Sequence, residues 1–399
     1  MKEEFKLVQY KRNHRHNGDL SLFSLERAKK VLAFHSSFPT YSETPLVSLK
    51  NTAKELGLGS VYIKDESHRF GLNAFKVLGG SFAIGSYLAQ KLGRSIENFT
   101  YSDFISDRTR QDLGEVTFVT ATDGNHGRGV AWTAKTLQQK SVVYMPKGSA
   151  MERLENILAE GAKASITEMN YDDAVRFAHE QAEEKGWIMV QDTAWEGYAD
   201  IPLWIMQGYG TMAYEAYTQL PERPTHIFLQ AGVGSLAGAV TAFFAALYKE
   251  ECPIITIVEP NKADCLFQTA QAKDGKLHYV TGDMDTIMAG LACGEPCSIG
   301  WEILKEYGDN FISCPDYVAA QGMRILGNPI KGDASIISGE SGAATFGCVA
   351  EIMRNPALAQ WREKLKLNED SRVLCFSTEG DTDREGYRSI VWDGTFPRT

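Results

Sequence analysis

Three glycine-bearing segments constrain the fold most, because each follows an apolar, β-branched run and leads into residues of helical spacing. They span residues 71–80, 121–129 and 230–238. A strand-to-helix turn of this kind points backbone N–H groups outward, which suits an anion. Short apolar runs recur along the chain at 60–64, 115–121, 141–145, 164–169, 188–191, 226–230, 254–258 and 372–376. Between several of them apolar residues repeat at helical intervals, as in Val77, Leu78, Phe82, Ile84 and Leu88. This alternation predicts an α/β fold with largely parallel sheets.

The chain of 399 residues is 43% hydrophobic, enough for one large core or two medium ones. Its net charge of -10 disfavours nucleic acid and anionic membrane as partners, since both would be repelled. A small molecule is the expected ligand. The charged start, Met1-Lys2-Glu3-Glu4, lacks a secretory pattern, and no apolar run approaches the roughly 20 residues that span a bilayer. Seven cysteines without a C-x-x-C pair read as reduced thiols, so a cytoplasmic location is expected. Cys293 and Cys297 are four apart, but no nearby cluster completes a ligand set, and no metal is expected. Residues 93–114 are polar and read as either a lid-like insertion or a separately packed helical hairpin. Residues 1–19 read as a partly extended arm, suited to lying on another subunit.

Lys76 stands at the start of a helix that the spacing carries to about Leu92, where the positive end of the dipole disfavours an ammonium by about 0.3–1 kcal/mol. That placement favours the neutral amine, which attacks carbonyls and accepts protons. On this position alone, a solvated lysine with a slight misfit remains the plainer reading. Gly232, Val233, Gly234 and Ser235 form a turn able to hold a phosphate, with Ser235 adding a hydroxyl donor. It is neither a Walker loop nor a dinucleotide fingerprint, and a tight turn in a packed sheet explains it equally well.

Together these segments resemble the fold-type II, or tryptophan synthase β, family of pyridoxal-phosphate enzymes. The matching elements are Thr44-Pro45-Leu46, Ala74-Phe75-Lys76, the run from Gly124 to Gly129, the Gly232 to Ser235 loop, and the strand leading into Ser377-Thr378-Glu379-Gly380-Asp381. The resemblance covers roughly residues 44–381. It implies two open twisted α/β domains with pyridoxal 5'-phosphate in the cleft between them. The larger domain would comprise residues 1–82 and 200–399, and the smaller, inserted one residues 83–199. By the same resemblance Lys76 carries the cofactor as a Schiff base and Asn125 contacts its phenolic oxygen. Gly232, Val233, Gly234 and Ser235 bind the phosphate, and Thr378 faces the pyridine nitrogen. A hydroxyl beside that nitrogen makes a weaker electron sink, suited to β-elimination. The resemblance also implies a homodimer.

Two acids depart from the common dehydratase pattern. Asp123 stands two positions before Asn125, where Ser or Ala is usual, and Asp192 follows a predicted strand in Gln191-Asp192-Thr193-Ala194-Trp195-Glu196-Gly197-Tyr198. Each could be an ordinary loop carboxylate. A substrate with a second ammonium would explain both, and within the family the combination implies elimination of 2,3-diaminopropionate, D and L, to pyruvate and two ammonia. Lys76 is then expected to act on the L-isomer, Asp123 on the D-isomer, and Asp192 to bind the β-ammonium. His126 is expected to pack as a buried residue rather than act as a base, and the turn from Ser338 to Gly342 to line the cleft. The competing readings are a serine/threonine ammonia-lyase, and a non-catalytic protein that holds pyridoxal phosphate or an amino acid.

Overall fold

The protein is described by a computed structural model over residues 5–10, 19–122 and 124–398. In chain order its strands are β1 (Lys6–Gln9), β2 (Leu46–Ser48), β3 (Ser60–Asp65), β4 (Thr117–Ala121), β5 (Lys140–Met145), β6 (Lys163–Ile166), β7 (Ile188–Met189), β8 (His226–Gln230), β9 (Ile254–Pro260), β10 (Asn310–Cys314) and β11 (Arg372–Ser377). Seven of them form one sheet in the order β1-β10-β9-β8-β11-β3-β2, and four form a second in the order β6-β5-β4-β7. The small sheet is parallel throughout. The large one is parallel at its centre and has antiparallel strands at both edges. The fold is therefore α/β with two sheets, as the alternation of runs predicts.

Helices cover both faces of the large sheet, which is why β8 reads His-Ile-Phe-Leu-Gln and is buried at every position. Ile227 and Leu229 point to a core shared with helices Val77–Lys91 and Ser235–Tyr248. Phe228, one step along, points to a second core shared with helices Asp316–Gly327 and Glu340–Arg354. Burial of side chains this size contributes about 1.5–3 kcal/mol each.

The described part of the N-terminal arm pairs with its own chain. Lys6–Gln9 adds an antiparallel edge strand to β10 of its own chain, and the rings of Tyr10, Trp301 and Phe311 pack beside it. Residues 93–114 resolve in favour of the packed reading: two short helices, Tyr101–Phe104 and Asp107–Leu113, with Phe104 stacked on Phe99 and packed against Phe34. None of these residues lines the site described below. Among the described residues, no helix is long and apolar enough to cross a membrane.

Candidate active site

The carboxyl ends of β8 and β11 from the large sheet meet those of β4 and β7 from the small one, the usual place for a ligand in open α/β sheets. The pocket there brings together Lys76, Asn125, Asp192, Gly232, Val233, Gly234, Ser235 and Thr378, residues up to 302 positions apart. Asp123 lies outside the described residues.

Lys76 immediately precedes helix Val77–Lys91. Its segment is clamped to the end of β11: Ala74 bridges Glu379, and the Phe75 N–H donates to the Thr378 carbonyl at 3.0 Å. From the other side comes helix Asn125–Thr136, whose Gly129 lies so close that a Cβ there would stand 2.9 Å from the Val77 backbone. Only glycine permits that approach, and it fixes Asn125 relative to Lys76. The Lys76 ammonium donates to Asp192 Oδ2 at 2.5 Å, and the two side chains are 18% and 4% exposed. Burial, the largest single influence, raises the Asp192 carboxyl, but the charge and hydrogen bond of Lys76 together with the His126 charge outweigh it and hold the group below its ordinary value. Asp192 thus compensates the unfavourable position of Lys76 at a helix start.

The glycine turn links β8 to helix Ser235–Tyr248, and Gly234 adopts φ +97°, a conformation that side chains resist. A Cβ on Gly232 would stand 3.1 Å from Cys293 Sγ, so bulk is excluded there too. The Ser235 hydroxyl lines the pocket and donates to the Asp192 backbone carbonyl, tying the turn to the lysine's counter-charge. His126 is buried, and its Nε2 meets the Val190 carbonyl at 2.7 Å, a bond that requires a ring N–H there. It holds the end of β7, in keeping with the structural role expected for it.

Several lining residues escape a reading of the sequence. Glu379 accepts from the Asn125 side-chain amide and, at 3.1 Å, from the Ser341 N–H. Gln230 donates to Thr378 Oγ1 at 2.9 Å. Their only sequence signal is adjacency, Glu379 to Thr378 and Gln230 to the glycine turn. The turn from Ser338 to Gly342 does line the cleft: Ser341 borders the pocket, and Glu340 borders a larger cavity that shares Tyr171 and Ala289 with it. Burial, then the neighbouring Glu379 charge, pushes the Glu340 carboxyl up to about 7. Thr44, by contrast, is absent from the pocket. It joins a buried ionic cluster with Lys64, Glu66, Arg69 and Glu215.

These groups fit pyridoxal phosphate. An amine stands ready for the aldehyde, an amide for the phenolic oxygen, a hydroxyl for the ring nitrogen, and a helix N-terminus for the phosphate. The buried Ser341 Oγ lacks a hydrogen-bond partner among the described residues, as a ligand-facing donor would.

Comparison with known proteins agrees. Residues 38–379 match the model of the pyridoxal-phosphate dependent enzyme family. The chain is 51% identical over 398 residues to the diaminopropionate ammonia-lyase of Salmonella typhimurium, covering 97% of this chain and 98% of that one. The holo diaminopropionate ammonia-lyase of Escherichia coli superposes with a TM-score of 0.92 at 46% identity, covering 99% of this chain and 98% of that one. The same enzyme solved with an aminoacrylate-PLP azomethine reaction intermediate gives 0.90 at 46% identity, with the same coverage. With most of its length matched by one family model and its pocket furnished for that cofactor, the chain belongs to the pyridoxal-phosphate dependent enzymes.

Proposed function

We propose that this chain is a carbon-nitrogen lyase that uses pyridoxal phosphate to convert 2,3-diaminopropionate and one water to pyruvate and two ammonia. The observation that carries the reading is the Lys76 ammonium on the Asp192 carboxylate, inside a pocket ringed by Asn125, Thr378 and the glycine turn. It is supported by full-length similarity to enzymes named for that reaction.

The bound cofactor supplies an electron sink that stabilises the carbanion left when the α-proton departs. Lys76 would hold it by its aldehyde, Asn125 by the phenolic oxygen and Thr378 by the ring nitrogen. Gly232, Val233, Gly234 and Ser235 would hold the phosphate. Lys76 is the base for the α-proton of the L-isomer, and Asp123 for that of the D-isomer. Asp192 keeps the Lys76 nitrogen in place. When that nitrogen is engaged elsewhere, its buried carboxylate needs another cation, and the substrate's β-ammonium meets that need. The β-nitrogen then leaves as neutral ammonia, since amide ion is far too basic. We further propose that the enzyme works as a cytoplasmic homodimer, with residues 83–199 forming the smaller domain.

Initial rates on D- and L-2,3-diaminopropionate, set against D- and L-serine, test this. Two ammonia per pyruvate and clear preference for the diamino acid are expected. Preference for serine, with one ammonia per pyruvate, would make the protein a hydroxyamino-acid lyase instead. In Asp123→Asn the D-isomer rate should fall by about 10²–10⁴-fold, and the L-isomer rate by less. Equal losses would make Asp123 a binding residue.

A further inference from the structure

We propose a further activity for this site: elimination of 2,3-diaminopropionates whose β-nitrogen carries a short alkyl chain ending in an ammonium, the chain lodging in a side chamber beside Asp192. The inference deepens, and rests on, the reading above that Asp192 receives the substrate's β-nitrogen.

The chamber has a volume of about 270 Å³. A water takes about 30 Å³ of liquid, so a short chain fits with room to spare. Three stretches of chain run from the pocket into it. Tyr171 with Asp172, Asp192 with Thr193, and Cys293 with Glu295 each place the first residue on the pocket and the second on the chamber. Tyr171 and Val233 border both spaces. Trp195 forms an aromatic wall, its ring stacked on Tyr198 with centroids 4.4 Å apart, and the Tyr198 hydroxyl is fixed by the Gln191 N–H at 2.8 Å. Such a wall attracts a methylene chain and a cation alike. Asp172 supplies a charge to match. Its half-buried carboxylate forms no salt bridge among the described residues, since Arg176 bonds Asp173 at 2.7 Å and Glu295 at 3.0 Å. Burial, then the Glu295 charge, pushes the Asp172 carboxyl up to about 6 against the weaker pull of Arg176.

The plainer reading is that Asp172 is an acid in the first turn of helix Tyr171–Lys185, where the dipole favours one. Asp173, in the same turn and paired with Arg176, meets that need on the surface. The dipole does not account for a carboxylate partly stripped of water beside a hollow, a loss that an entering cation offsets. The chemistry accommodates the chain. A protonated secondary amine keeps two N–H groups, so alkylation still leaves one for Asp192. The base takes the α-proton, the Cβ–N bond breaks with its electron pair going to nitrogen, and the alkylamine leaves neutral, as ammonia does. The released enamine hydrolyses, so one substrate and one water give pyruvate, one ammonia and one alkylamine.

The test compares kcat/KM of the holoenzyme for 2,3-diaminopropionate and for its β-N-aminoethyl and β-N-propyl derivatives, which match in size and differ in the terminal charge. At pH 8, where Asp172 is ionised, the wild type should release ethylenediamine and pyruvate from the aminoethyl compound, with kcat/KM about 10-fold above that for the propyl one. Asp172→Asn should erase that preference and leave 2,3-diaminopropionate unaffected. Val175→Phe, which fills the chamber from the same helix, should lower kcat/KM for both derivatives at least about 10-fold and spare the parent compound. A wild type that consumes the parent compound but neither derivative overturns the inference alone. So do equal use of the two derivatives, a preference that survives in Asp172→Asn, and losses in either variant that fall equally on the parent. A wild type inactive on 2,3-diaminopropionate would instead overturn the reading on which the inference rests.

Discussion

Two groups of buried charges in this molecule are built on opposite principles. Beneath the large sheet's edge, Lys64 and Arg69 face Glu66 and Glu215, with two cations matching two carboxylates. Arg69 reaches both acids at 2.7–2.8 Å, and Lys64 reaches Glu215 at 2.7 Å. Thr44 and Tyr41 take up remaining bonds. Burial raises the Glu215 carboxyl, yet its bonds to Arg69 bring it down to about 2. In the pocket Lys76 has Asp192 as its counter-charge and Glu379 is held by neutral amides, while Glu340, on the adjoining cavity, is raised by burial and by Glu379 against the weaker pull of a backbone N–H and the Arg153 charge. The first group is closed on itself and holds the fold. The second is left open, which is what a site that receives a charged substrate needs.

Removing one acid from each group should separate these roles. Glu215→Gln breaks a closed cluster and should cost about 3–5 kcal/mol of stability, because it leaves buried cations without compensation. The fraction that stays folded should turn over normally. Asp192→Asn should lower kcat by about 10²–10⁴-fold with a far smaller change in stability. Denaturant melts and initial rates on the same two proteins check both. A Glu215→Gln protein that is stable but inactive would break the comparison.

A smaller effect sharpens it. Glu340 has its folded-state value raised to about 7 from an ordinary 4.5. Below the ordinary value the group is neutral whether folded or unfolded. As pH rises toward the folded value, only the unfolded chain ionises freely, so stability is lost through that window and stays lost above it. Glu340→Gln should therefore be more stable than the wild type at pH 8, by about 1–3 kcal/mol, and no different at pH 4. Thermal midpoints of the two proteins at both pH values measure it. Equal midpoints at pH 8 would mean that a partner for Glu340 exists in solution.

Much of this was legible in the sequence, for definite reasons. Strands buried on both faces write themselves as apolar runs, so β8 is read to its exact ends, while Leu46–Ser48, only three residues long, leaves too little pattern. Asn310–Cys314 opens on a polar residue and hides in the same way. Lys76, Asn125, the glycine turn and Thr378 were recognisable because local motifs carry them. The pairing of Lys76 with Asp192 was not, since 116 positions separate them and only the docking of two sheets joins them. The Thr44-Pro45-Leu46 element was legible as a motif, but its place in a closed ionic cluster was not. Lys64, Glu66, Arg69 and Glu215 look like surface residues until the fold buries them.

The central claim is that Lys76 is the residue through which this protein holds and uses its cofactor, and Lys76→Ala tests it most directly. Purified with pyridoxal phosphate, the variant should lack the visible absorbance band of the lysine-linked cofactor. Pyruvate release from 2,3-diaminopropionate should fall by at least about 10³-fold. A Lys76→Ala protein that keeps that band at neutral pH, together with near-wild-type turnover, would contradict the account.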